Sequence, residues 1–474
     1  MCMIRNRKFG LVKSINLLLL VLLPVFGLCQ SNIAAAFRVL GSDSQLKHAL
    51  TGFSLIRISD GKQVFGAMED RLLLPASTQK VLTAGVALSL LKPEYRFCTN
   101  VVVSGPINDG ILNGDLYIIG SGDPTLGSPR FPGTGAESFI ARIVKALRES
   151  KIQTIRGDLV VNSGVFSGED IPDGWIWQDL ANYYGAAAAG FNWRENKFDI
   201  FLKSGNKPGD SVSVIRTEPE LYFNQINNLL TAGPRGSGDK AYCYFQPGQE
   251  GITIRGTIPA GEASFRISAS YPSPAAQFLS ELSAALMANA IEVSGRNRVD
   301  KEILITGPGQ LIMQQCSPSL DSLVKPFLKN SINLYGEALL KTLGTLNGKG
   351  STTDGVKMLT RELGRLGIPD GMVLVQDGSG LSPQNGVTPE ALARFMAVAK
   401  KQIWFQPFYE GLPLVHQYRM KSGTINGVRC YTGYIKSKKN VEYAFALMTN
   451  RYTGSSSSLS QKLWKFLDAC RDSE

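Results

Sequence analysis

Three features of the chain predict an α/β protein whose main domain is assembled from both chain ends and interrupted by a strand-rich insertion. The N-terminal part alternates as a hairpin and then becomes an apolar helix. The C-terminal part is helical and closes with three strands and a last helix. Between them the chain is cut by glycine into short strands. With 474 residues, 43% of them hydrophobic and 19% charged, there is room for two or three domains of ordinary globular composition.

The first 29 residues read as a secretory signal peptide. Arg5, Arg7, Lys8 and Lys13 precede an apolar run from Leu17 to Leu23, and small residues then lead to Cys29-Gln30, with cleavage expected before Gln30. The run is short for a membrane span. A lipid on Cys29 ranks lower, because Leu28 is large for the position before a lipidated cysteine. The protein is thus expected to cross the inner membrane and work in the periplasm, with at most peripheral membrane contact.

Residues 53–58 and 64–68 alternate around Asp60-Gly61, a hairpin signal. Pro75 then leads an apolar helix starting near Ser77. From about Phe97 strands take over, and Asn113-Gly114-Asp115-Leu116 and Arg156-Gly157-Asp158-Leu159 each launch one from a turn. Residues 174–261 show no clear long helix. Pro274 opens an apolar helix to about Ala290, followed by a strand-like 302–306. After about Gly307 the texture is helical, with a helix over 331–343 and a capped start at Thr388-Pro389-Glu390. Strands follow at 418–425, 428–435 and 441–449. The final helix carries Leu459, Leu463, Phe466, Leu467 and Cys470 on one stripe, which is expected to pack on those strands rather than on a membrane.

Composition excludes several chemistries. Only His48 and His416 exist, so zinc sites built on paired histidines and a Ser-His-Asp triad have almost no material, and no G-x-S-x-G elbow is present. No metal and no cofactor is expected. His416 reads as a strand-surface or core histidine. Of 7 cysteines, Cys98, Cys243, Cys316, Cys430 and Cys470 lie beyond the signal peptide. Their wide spacing offers neither a disulfide framework nor a metal site, and isolated buried thiols are the preferred reading. Net charge falls from +11 to +7 without the four leader cations. No basic-aromatic cluster argues for nucleic acid.

A secreted enzyme poor in histidine is expected to use lysine as its base. Ser77-Thr78-Gln79-Lys80 places a hydroxyl and an amine three residues apart, on one face of a helix N-terminus. S-x-x-K recurs by chance, and its weight comes from Ser331-Ile332-Asn333 and Lys421-Ser422-Gly423-Thr424 downstream. Asn333 and Ser331 stand two apart ahead of a helix. Gly423 is poor strand material and marks a close approach of a ligand or another backbone. Lys421 is expected to supply positive potential, and Ser422 and Thr424 to offer hydroxyls to a carboxylate.

These three segments, in this order, resemble the active-site set of the penicillin-recognising serine enzymes. The run from Gly114 to Leu126, Asp377-Gly378-Ser379-Gly380-Leu381-Ser382, and Ser331-Ile332-Asn333-Leu334-Tyr335-Gly336-Glu337 are similar to segments of the D-alanyl-D-alanine carboxypeptidase/endopeptidase family, the class C low-molecular-mass penicillin-binding proteins. Ile332 replaces that family's usual aspartate and is expected to point into packing; Ser422 replaces its commoner threonine. The resemblance implies a β-lactamase/transpeptidase-like domain, an antiparallel sheet flanked by helices, formed by 30–96 and 307–474. It also implies one or two strand-rich domains inserted over 97–306, with a division expected near 180–265.

The resemblance further implies that Ser77 is the nucleophile of an acyl-enzyme and Lys80 either its base or an ammonium that orients it. Ser331 would relay a proton to the leaving amine, Asn333 would hold the substrate amide, and Lys421 would complete the catalytic set. Ser422, Gly423 and Thr424 would bind substrate, with the backbone N–H groups of Ser77 and Thr424 as oxyanion hole. Substrates would be peptidoglycan stem peptides and cross-links, and β-lactams covalent inhibitors. The alternatives are a β-lactamase on the same scaffold and a non-catalytic cell-wall-binding protein. Residues 377–382 read as a turn supporting the cleft wall, and the insertion as a non-catalytic module restricting access.

Overall fold

The computed structural model describes residues 24–302 and 309–473, with side chains from Asn32 onward. Most of the expected leader and most of the strand-like 302–306 lie outside the described residues. Its main sheet has six antiparallel strands in the order Gln63–Ala67, Leu50–Arg57, Glu442–Asn450, Val428–Lys436, Tyr418–Ile425 and Leu414–Val415. The two chain ends meet at its centre, where Leu50 pairs with Asn450 and Arg57 with Tyr443. Eight of the nine residues of Glu442–Asn450 are buried, because both sheet faces are covered.

On one face Phe53, Phe445 and Leu447 pack against Leu463, Phe466 and Leu467 of the terminal helix Ser456–Asp472, and Ile33 and Leu40 of Pro24–Gly41 join them. The apolar stripe of the last helix is therefore consumed by the sheet. On the other face Ala444, Ala446 and Met448 meet the helices Lys80–Leu91, Leu320–Lys329, Asn333–Thr345 and Pro389–Ala399. Small side chains on that strand let helices approach closely. Among the described residues no helix is long and apolar enough to cross a membrane.

Between Leu91 and Leu320 the chain builds separate sheets. One has five strands in the order Asn297–Asp300, Leu159–Asn162, Leu116–Ile119, Cys98–Ser104 and Gly309–Cys316, backed by helices Ala136–Glu149 and Pro274–Ala288. The two look-alike turns lie side by side: their strands pair in parallel, and Asp115 Oδ1 accepts the N–H of Asp158 at 2.7 Å. Two three-stranded sheets enclose a further core containing Phe198, Ile200, Ile254 and Ile267.

Three expectations are corrected. Ala136–Glu149 is a helix within the stretch read as strands, with Phe139, Ile143 and Leu147 on its buried side; glycine punctuation on either side masked its period. The helical texture begins at Leu320 rather than Gly307, since Gly309–Cys316 is a strand paired with Cys98–Ser104. That pairing sets Cys316 opposite Cys98, and the two form a disulfide with Cα atoms 4.0 Å apart. Isolated thiols were the wrong reading for this pair, because 218 residues of sequence hide the register that joins them. Cys243 and Cys430 are buried free thiols, and Cys470 is buried on the terminal helix.

Candidate active site

The site forms where the Lys80 helix meets the outer part of the main sheet. Leu74 and Pro75 lead into a 3-10 turn, Ala76–Gln79, and the α-helix itself begins at Lys80. Ala76 sits at φ +45°, a left-handed conformation that costs a non-glycine residue energy and persists only when its surroundings over-determine it. Here Gly380 presses on it: a Cβ at Gly380 would lie 2.0 Å from the Ala76 carbonyl oxygen. Gly423 presses from the other side, where a Cβ would lie 2.5 Å from the Pro75 oxygen and 3.0 Å from the Ser77 nitrogen. The close approach expected at Gly423 is thus to the Ser77 turn itself.

Lys80 Nζ is fully enclosed and lies 2.9 Å from Ser77 Oγ, 2.6 Å from Asn333 Oδ1 and 2.7 Å from the Ser379 carbonyl oxygen. Two of these three are carbonyls, which only accept. A neutral amine therefore spends both protons on Asn333 and Ser379 and turns its lone pair to the Ser77 hydroxyl. Burial pulls the Lys80 ammonium down to about 7, against the charges of Asp377 and Glu337, which favour the protonated form. Burial pushes the Glu337 carboxyl up to about 8, helped by the Asp377 charge, so Glu337 is mostly protonated at neutral pH.

Asp377 organises the supporting wall. Its Oδ1 accepts from the Gly380 N–H and from Gln79 and Asn385, and its Oδ2 from the Ser382 N–H and from Trp175 Nε1 at 2.9 Å. Five donors hold the turn that offers the Ser379 oxygen to Lys80. Residues 377–382 therefore support the cleft as expected, and one of them also touches the lysine. Sequence reasoning missed Ser379 because its contribution is a backbone carbonyl, which leaves no side-chain signal.

Ser331, at φ +58°, accepts a hydrogen bond from Lys421 Nζ at 3.0 Å; the same nitrogen donates to the Ser422 oxygen at 2.8 Å. Burial, followed by the charges of Lys80 and Arg429, holds Lys421 well below the ordinary lysine range. Ile332 packs into the helical core, as its apolar character suggested. Asn333 bridges the site: its Nδ2 donates to the Tyr184 carbonyl at 2.7 Å, so both ends of its amide are engaged by protein. Thr424 is exposed, and its hydroxyl accepts from Arg429, its cross-strand partner over the Asn426-Gly427 turn. Arg429 was also missed, although an arginine directly opposite Thr424 in a hairpin is a signal that sequence contains.

All eight expected residues, Ser77, Lys80, Ser331, Asn333, Lys421, Ser422, Gly423 and Thr424, thus come from three segments that converge on one cleft. The insertion contributes as well. Trp175 holds Asp377 and the Tyr184 carbonyl holds Asn333, and Leu381 and Ile425 pack into the core of the three-stranded sheets. A module that merely restricts access is therefore the wrong description. His416, by contrast, bonds Asp468 and stacks on Trp464 of the terminal helix.

The model of the D-Ala-D-Ala carboxypeptidase 3 (S13) family matches residues 33–468, nearly the whole chain. The chain belongs to this family. S13 relatives include a D-alanyl-D-alanine carboxypeptidase of Actinomadura sp. (26% identical over 87% of this chain and 80% of that protein) and the D-alanyl-D-alanine carboxypeptidase DacB of Haemophilus influenzae (26% identical over 85% of each). The crystal structure of penicillin-binding protein 4 from H. influenzae superimposes with a TM-score of 0.79 at 23% identity, covering 92% of this chain and 97% of that one, which shows the shared fold. The α/β architecture with a strand-rich insertion is therefore that of an S13 peptidase, and the chain is an enzyme of the D-Ala-D-Ala carboxypeptidase class.

Proposed function

We propose that this S13 enzyme is a secreted serine-type D-Ala-D-Ala carboxypeptidase and DD-endopeptidase, acting in the periplasm on peptidoglycan stem peptides and cross-links through an acyl-enzyme on Ser77. The observation that carries this reading is the Lys80 amine, held by two carbonyl acceptors with its remaining contact at Ser77 Oγ. The free amine takes the Ser77 proton as Oγ attacks the penultimate D-alanine carbonyl. The C–N bond then breaks, and the leaving amine receives a proton through Ser331, which Lys421 holds. Water adds to the ester, gives up its proton to Lys80, and releases the shortened peptide with Ser77 restored.

Geometry also supports an oxyanion hole from the Ser77 and Thr424 N–H groups, since Gly423 lays its strand directly against the turn. A substrate carboxylate beside the scissile bond would meet Ser422, Thr424 and the guanidinium of Arg429. Carboxypeptidase and endopeptidase cleavage both present that carboxylate, so one site serves both. Residues 30–96 and 320–474 are read as the catalytic domain, and the intervening chain, whose last strand Gly309–Cys316 pairs with Cys98–Ser104, as the inserted region that buttresses it.

The test is incubation of the leaderless chain with labelled penicillin, followed by digestion and mass spectrometry. A stable adduct on the peptide containing Ser77, lost in Ser77→Ala, is expected. Rapid turnover of the drug would instead indicate a β-lactamase, and no reaction a non-catalytic wall binder. Amidating the terminal carboxylate of a stem pentapeptide should suppress cleavage; equal cleavage would remove carboxylate recognition from the scheme.

A further inference from the structure

Away from Ser77, the inserted region carries a trough of about 550 Å³ that no step above uses. Its wall is aromatic. Trp177, half exposed, lies against Tyr244 with ring centroids 4.7 Å apart, and the Arg255 guanidinium sits 5.3 Å from the Tyr244 centroid. Its rim is rich in carboxamides, with Asn224, Gln225, Gln246 and Gln249 all exposed. Charge is balanced, one arginine against Glu250. A flat aromatic surface bordered by carboxamides, with no net charge, suits a neutral, hydroxyl- and amide-bearing ring polymer better than an anionic peptide.

The segment that carries Trp177 into the trough also buttresses the wall of the catalytic cleft. Trp177 follows two residues after Trp175, whose indole is bonded to Asp377, and two Cα atoms so placed are at most about 7 Å apart. The same segment runs on through the exposed Tyr183 to Tyr184, whose carbonyl holds Asn333. The exposed Ile176 and Tyr242 widen this apolar surface. A ligand in the trough and a peptide at Ser77 would thus be neighbours on one molecule.

We propose that this trough binds the N-acetylated glycan strand to which the substrate stem peptide is attached. This rests on the peptidoglycan reading above and deepens it. The enzyme grips the polymer through sugars stacked on Trp177 and Tyr244, with carboxamides and Arg255 reaching hydroxyl and acetamido oxygens, and presents the attached peptide to Ser77. Sugar binding of this kind raises the local concentration of peptides without altering the chemical step.

The probe is glycan strands stripped of peptide by an amidase, added to the full-length mature chain carrying Ser77→Ala and followed by tryptophan fluorescence and co-sedimentation. Binding is expected, weakened about tenfold by Trp177→Ala and by Tyr244→Ala in that background. With Ser77 intact, Trp177→Ala and Arg255→Ala should acylate with penicillin and release D-alanine from a soluble pentapeptide as wild type does, yet release it several-fold more slowly from intact wall polymer. Two results would overturn the proposal: stripped glycan that does not bind while soluble stem peptides protect Trp177, which would make the trough a peptide subsite, or variants that digest the polymer at the wild-type rate. Failure of the peptidase reading itself would look different, with no penicillin adduct and no D-alanine from the soluble peptide in any variant.

Discussion

Replacing Gly423 by alanine should cripple acylation without touching a catalytic side chain. The added Cβ would lie 2.5 Å from the Pro75 oxygen, 2.9 Å from the Thr78 nitrogen and 3.0 Å from the Ser77 nitrogen. All three are backbone atoms and cannot swing aside. Restoring ordinary contact at about 3.4 Å requires the Lys421 strand and the Ser77 turn to part by about 0.9 Å. That movement takes Ser77 away from Thr424 and Lys421, the groups proposed to act with it in the transition state. A misplacement near 1 Å costs about 100-fold in rate, or about 2.7 kcal/mol of barrier, and overpacking should cost about 1–3 kcal/mol of stability. The assay is the second-order rate constant for acylation by a fluorescent penicillin, with a denaturant melt in parallel. Gly364→Ala is the control, because no atom lies within 4 Å of its added Cβ near the end of the helix Thr352–Arg365; it should acylate normally and gain about 0.5–1 kcal/mol. If Gly423→Ala reacts within about threefold of wild type and melts alike, the close packing of strand and turn does not control Ser77.

If the free Lys80 amine accepts the Ser77 proton as proposed, the acylation rate should climb as pH rises through about 7, where burial sets its midpoint; a rate that stays flat from pH 5 to 9, or falls through 7, would refute that role. Lys80→Arg, which cannot give up its proton, should lose on the order of 10³-fold or more at every pH. Asp377→Asn should cost about 3–5 kcal/mol by denaturant melt, because an amide group turned toward any two of its five donors leaves them unpaired. Thiol titration of the leaderless protein in denaturant should find two more thiols after reduction than before, a gain lost when Cys98 and Cys316 are replaced, and Cys98→Ser with Cys316→Ser should lower stability by about 2–5 kcal/mol.

Local sequence was enough for whatever depends on spacing along one element. Ser77 and Lys80 are three residues apart, and any helical turn brings them together. The strands over 418–450 declare themselves by alternation and by the Asn426-Gly427 turn, and Gly423 marks a close approach because glycine is otherwise poor strand material. The final helix shows its burial in its stripe. Packing between layers decided the rest. Lys80 meets the Ser379 carbonyl across 299 residues, Trp175 meets Asp377 across 202, and Tyr184 meets Asn333 across 149. Cys98 finds Cys316 through the register of two strands 218 residues apart. Two of these contacts run through backbone carbonyls, which carry no residue-specific signature at all. The proposed neutral base, too, depends on tertiary structure: burial takes the water away from Lys80 and pulls its ammonium down to about 7, a desolvation that no local pattern encodes.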